Sequence, residues 1–129
     1  MGLCLQAPKR PRSGEPRARV PDLLRAIERI ALAHRVRVAT FGHAGDGNLH
    51  PNLIFDHDDP DAARLTHEVR DEIFRAALAM GGTVTAEHGI GAARREWLPI
   101  QRGEGAVAAM RAIKAALDPL GILNPGRVL

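Results

Sequence analysis

Tyrosine is absent from the 129 residues, and Phe41, Phe55, Phe74 and Trp97 are the only aromatic side chains. The core must therefore be aliphatic, and a platform for stacking nucleic-acid bases is missing. A single cysteine, Cys4, excludes an intramolecular disulfide and a zinc–thiolate cluster. No run reaches the roughly 18 apolar residues of a membrane span. The start lacks the apolar stretch of a secretion signal. Met1-Gly2 opens like a myristoylation site, but Gln6 stands where Ser or Thr is required. These absences predict a cytoplasmic protein of one domain with no transmembrane segment.

An excess of charge of one sign is confined to one stretch. The net charge is +3, yet Lys9, Arg10, Arg12, Arg17 and Arg19 face only Glu15 within residues 1–19. Setting that stretch aside leaves 13 bases and 14 acids, so residues 20–129 carry about −1. Proline- and arginine-rich and without periodicity, residues 1–19 read as a disordered basic tail. No aromatic side chain lies among its arginines, so no nucleic-acid partner is expected.

What is present is punctuated by glycine. Val36, Val38 and Thr40 alternate before Gly42-His43-Ala44-Gly45-Asp46-Gly47-Asn48-Leu49-His50, and Leu49, Leu53 and Phe55 alternate after it. A period of two predicts strands over 35–41 and 49–55, joined by a hairpin with Asp46-Gly47 in its turn. His43 and His50 then face each other at the hairpin mouth. His50 and Asn52 share one strand face, and Leu49, Pro51, Leu53 and Phe55 share the other. Pro51 must lie where its missing N–H has no partner.

Helical periodicity predicts a helix over 21–34, with Leu23, Leu24, Ile27, Ile30 and Ala31 in one stripe. A second starts at Asp59-Pro60, runs to about Met80 on Leu65, Val69, Ile73, Phe74 and Ala77, and stops at Gly81-Gly82. Thr83-Val84-Thr85 is a short strand candidate, followed by a second polar loop, Ala86-Glu87-His88-Gly89-Ile90-Gly91. A short helix is placed around 94–98. Another runs over 104–117 with Val107, Met110, Ile113 and Leu117 inward. An extended closing segment turns at Asn124-Pro125-Gly126. The fold class is α+β: helices on one face of a small, mainly antiparallel sheet, half of a ferredoxin-like arrangement.

His43, His50 and Glu87 offer two neutral imidazoles and a carboxylate, a set that suits a divalent metal with positions left open. Zinc and manganese are both acceptable to it. Asp46 either orients a ligand histidine or closes the turn through its own backbone. A lone loop histidine is most often a solvated polar residue; His34 at a helix end, where the dipole favours an imidazolium, His57 in an acidic turn and His67 on the polar face of the second helix are not expected to bind metal. The glycine loop is followed by a strand containing Pro51, not by a helix, so it is not a dinucleotide fingerprint.

Three motifs, GHAGDGNLHPN, GGTVTAEHGIG and KAALDPLGILNPGRVL, occur in that order. Together they resemble the C-terminal domain of the FAD-linked oxidases, the family that includes glycolate oxidase, D-lactate dehydrogenases and D-2-hydroxyglutarate dehydrogenase. The resemblance runs from about residue 19 to 129. It implies that His43 and His50 are metal ligands, Glu87 the carboxylate ligand, His88 the catalytic base and Asn52 a substrate contact. Arg94 stands where members often carry lysine, and Trp97 where many carry tyrosine. It also implies FAD held by a separate domain or subunit, a 2-hydroxy acid as substrate, and an oxidoreductase acting on its CH–OH group. Members carry an FAD-binding domain and an upstream half of this domain, so the chain is expected to be a fragment or one piece of a split enzyme, inactive by itself. An incomplete core would invite self-association into a homo-oligomer. The alternative is a non-enzymatic remnant or a metal-binding interaction module.

Overall fold

The computed structural model describes residues 5–6, 19–43, 45–56 and 58–129. It divides into two compact units, residues 1–87 and residues 88–129.

The first unit runs β1 (Leu5–Gln6), α1 (Val20–Ala33), β2 (Arg37–His43), β3 (Asn48–Ile54) and α2 (Ala62–Ala79). The sheet order is β1-β3-β2, with both pairings antiparallel. β1 and β2 are thus parallel to each other, joined through α1, with β3 inserted between them. After α2, Thr83 makes an isolated bridge in place of the strand expected over 83–85. This α+β order supplies five of the six elements of a ferredoxin-like unit.

β1 corrects the reading of residues 1–19 as a wholly disordered tail. Leu5 and Gln6 pair with Leu49 and Asn48, and Leu5 is fully buried. The overlooked signal is the apolar alternation of Leu3 and Leu5, masked by the arginines that follow. Residues 1–4 and 7–18 of that tail lie outside the described residues, and Arg19 precedes α1 as its N-cap.

Cross-strand partners share a face, so register divides the sheet. Val38 faces Leu53, Thr40 faces Pro51 and Gly42 faces Leu49 on the inner side. Leu5, Leu49, Pro51 and Leu53 there are buried, as are Leu23, Ala26, Ile27 and Ala31 of α1 and Val69, Ile73, Phe74 and Ala77 of α2. The amphipathic helices cover one face because their stripes match its aliphatic rows. At the end of α1, the His34 Nε2 lies 2.8 Å from Glu72 Oε1 of α2, which pins the two helices together. Arg70 is also buried on α2, held by Asp71 Oδ1 at 2.8 and 2.9 Å and lying 5.9 Å from the Phe74 ring centre.

The α2 start is shifted from Asp59-Pro60 to Ala62, because the Asp59 carboxylate accepts the Asp61 N–H at 2.8 Å and closes a turn first. β2 runs on to His43 and β3 begins at Asn48, so both strands reach further into the glycine loop than alternation predicts, and Asp46-Gly47 lies in the turn between them as expected. The Asp46 and Gly47 N–H groups both donate to the His43 carbonyl, and Gly47 has φ of 78°.

Gly42 is what lets the strands approach at the mouth. A Cβ built there would stand 2.1 Å from the Asn48 carbonyl oxygen, and φ is 157°. Neither atom can swing away, since both are backbone in paired strands. Gly42→Ala is therefore expected to lower stability by about 3 kcal/mol. Urea unfolding followed by circular dichroism checks this, and a midpoint equal to wild type would contradict it.

The second unit contains α3 (Trp97–Arg102), α4 (Glu104–Leu117) and the closing segment. α3 lies later than the expected 94–98. Pro99 falls in its first turn, where a missing N–H costs nothing. Trp97, Leu98 and Val107 are buried. Ile113 and Leu117, expected inward, are 61% and 77% exposed. Asp118 closes α4: its carboxylate accepts the Ile122 and Leu123 N–H groups at 3.0 Å and pairs with the Lys114 ammonium. The Lys114 hydrogen bond, helped by those two amides, holds the Asp118 carboxyl below its ordinary value. That contribution is complete above the ordinary carboxylate pKa and disappears as pH falls through the lowered one.

Candidate metal centre

The outer face of the sheet carries the polar positions. Arg37 faces Ile54, Ala39 faces Asn52, Phe41 faces His50 and His43 faces Asn48. His43 and His50 are diagonal neighbours across the mouth, with ring centres 5.8 Å apart and planes at 87°. The side chain of Glu87 arrives from the loop after the Thr83 bridge, behind the buried anchor Val84. The His50 Nε2 lies 3.3 Å from Glu87 Oε1.

One ligand atom from each of His43, His50 and Glu87 lies within 4.8 Å of the others. Metal–donor distances of about 2.1 Å need donor spacings of about 3–3.5 Å. Small side-chain rotations close that difference, and two imidazoles with a carboxylate are an ordinary divalent set. The donors therefore fit an ion. Their burial is unequal: His50 is 8% exposed, while His43 and Glu87 are exposed. The trio is anchored on one side and open on the other, as a site that admits substrate requires.

Asp46 takes the turn-closing role, its Oδ1 accepting the Asn48 N–H at 2.9 Å. Asn52 lies two residues past His50 on the same face and is half-buried. His88 follows Glu87 in the chain, is exposed, and opens the second unit. There, Arg94 donates to the Gly89 carbonyl at 2.8 Å and braces the loop. Trp97 is buried at the start of α3. His34 is engaged with Glu72, and His67 is exposed on α2. His57 lies outside the described residues.

Two more residues of this face are given no role by the motifs. Asn48 is 2% exposed and faces His43. Phe41 stacks on His50. Strand parity is the signal that finds both, since 48, 50 and 52 alternate onto one face and 41 and 43 onto the same one.

Comparison with known proteins matches residues 14–128 to the family described as FAD linked oxidases, C-terminal domain. Glycolate oxidase subunit GlcD of Bacillus subtilis is 41% identical over 113 residues, 88% of this chain and 24% of that protein. A probable mitochondrial D-lactate dehydrogenase of Danio rerio is 37% identical, over 88% of this chain and 23% of its own length. D-2-hydroxyglutarate dehydrogenase of Stutzerimonas stutzeri is 35% identical, over 85% and 25%. The chain spans about a quarter of the length of these relatives.

Proposed function

Because the chain belongs to the FAD linked oxidases, C-terminal domain family, we propose that it is the metal- and substrate-binding part of an FAD-dependent 2-hydroxy-acid dehydrogenase or oxidase of the glycolate or D-lactate type. It works with an FAD-binding domain or subunit, in the cytoplasm, and is inactive without that partner. The convergence of His43, His50 and Glu87 carries this reading.

His43 and His50 would hold the ion through imidazole nitrogens, and the Glu87 carboxylate would offset its charge. When bound, a zinc or manganese ion supplies Lewis acidity to the substrate hydroxyl, and FAD supplies the hydride acceptor. Asn52 orients the substrate by hydrogen bonding. His88 takes the hydroxyl proton onto an unligated imidazole nitrogen, acting as the general base. Exposed Ile113, Leu117, Leu120, Ile122 and Leu123 support a partner, since so much apolar surface in one small unit favours being covered.

A chimera tests this: residues 20–129 replace the matched segment of the Bacillus subtilis relative. The chimera is expected to oxidise glycolate or D-lactate, to lose that activity to a chelator, and to regain it with zinc or manganese. The 129-residue chain alone is expected to show none. A folded, flavin-loaded chimera indifferent to chelation would contradict the proposal.

A further inference from the structure

We propose that Phe41 is a positioning residue for the metal ligand His50, holding its imidazole plane and closing one ring face to water. This rests on the metal-site reading above. Phe41 stands directly opposite His50 in the β2–β3 register. The two ring centres are 5.6 Å apart with planes 29° from parallel, an offset stack.

Phe41 is 63% exposed and lies on the outer face, away from the aliphatic core that Leu49 and Leu53 join. Core packing therefore does not account for a large apolar ring at this place. What the ring does cover is His50, which is 8% exposed. His43 meets the same imidazole edge-on, and Glu87 Oε1 faces its Nε2. The His50 ring is thus restrained by one stacked and one perpendicular neighbour, with its Nε2 turned toward the carboxylate.

An aromatic ring suits this task on two grounds. It resists imidazole rotation over a whole ring face while offering no lone pair that competes for the ion. Its apolar body also thins the water beside the donors, and that strengthens attraction between a cation and Glu87. Hydrogen-bonding partners that orient a metal-bound histidine are usually worth about 10- to 100-fold in metal affinity, and a stacked ring that restrains the same plane is expected to act on that scale.

The test is calorimetric titration of the metal-free 129-residue chain with zinc chloride and with manganese chloride, comparing wild type, Phe41→Ala, Phe41→Leu and Phe41→Tyr. Phe41→Ala is expected to weaken binding about 10- to 100-fold. Phe41→Leu, which keeps bulk without a flat ring, should lie between, and Phe41→Tyr should retain wild-type affinity. Thermal melts of the metal-free proteins should coincide, because so exposed a ring adds little to the fold. A purely structural role would shift the melts and leave affinity alone. Wild-type affinity in Phe41→Ala, with wild type binding one ion, overturns the role of Phe41 and leaves the metal site standing. Failure of folded wild type to bind either ion overturns both. Equal loss in Phe41→Ala and Phe41→Tyr also overturns the stacking role.

Discussion

Within the active chimera, His88→Asn is expected to lower turnover by about 10²- to 10⁴-fold while the metal stays bound, the usual worth of a general base. Glu87→Gln is expected to lose metal and activity together. The two residues are neighbours in the chain, yet the tasks proposed for them demand opposite properties. Glu87 must give its oxygen to the ion, and its side chain already reaches the His50 Nε2 at 3.3 Å. An amide in its place cannot offset the cation's charge. His88 must keep a nitrogen unligated to receive a proton. Adjacent side chains in an extended segment point to opposite sides. Here the backbone turns at Glu87 and His88, and Gly89 and Gly91 adopt φ of 68° and 56°. Glycine takes those values at no steric cost, so the loop can turn between the two side chains. Metal content and turnover measured on the same preparations separate the roles. Metal lost from His88→Asn and kept by Glu87→Gln would mean that the assignments are reversed.

The second large effect belongs to His50. Replacing it by alanine is expected to weaken zinc or manganese binding by well over about 100-fold, beyond the range for residues that merely orient a ligand. It is the buried member of the trio, stacked by Phe41 and facing both His43 and Glu87. Its loss removes the one donor whose position is fixed on several sides. Thermal melts give an independent measure. Metal at 100 times its dissociation constant should stabilise wild type by about 2.7 kcal/mol. His50→Ala should melt at the same temperature with and without metal. A metal-dependent shift in His50→Ala as large as that of wild type would exclude His50 as a ligand.

Much of this architecture is legible in the sequence. The stripe of α1 places it within a residue of Val20–Ala33, and α4 begins and ends where periodicity puts it. The hairpin follows from alternation, but alternation ends β2 too early, at Phe41. A glycine ordinarily weakens a strand, whereas Gly42 continues this one because the opposing carbonyl leaves no room for a Cβ. β1 is hidden by composition: two residues of strand inside a basic stretch make no periodic window. α3 extends through Pro99, which its first turn tolerates. Ile113 and Leu117 follow the helical period faithfully, yet period tells which residues share a face and not whether anything covers it.

The site divides in the same way. His43 and His50 are readable from parity within one hairpin. The convergence of Glu87, 37 residues beyond His50, depends on how α2 and the Thr83 bridge return the chain to the sheet, and local spacing does not encode that. The resemblance names Glu87, and the fold brings it to the imidazoles. Phe41 escapes notice in the sequence because an aromatic in a strand is ordinarily explained by packing. Its register opposite His50 gives it another use.

His43, His50 and Glu87 are proposed to hold one divalent ion. Elemental analysis of the 129-residue chain, loaded with zinc or manganese and freed of excess by gel filtration, tests it most directly. One ion per chain is expected in wild type, and none in His43→Ala or His50→Ala. Wild type that is folded by circular dichroism and retains no ion, or variants that retain as much as wild type, would contradict it.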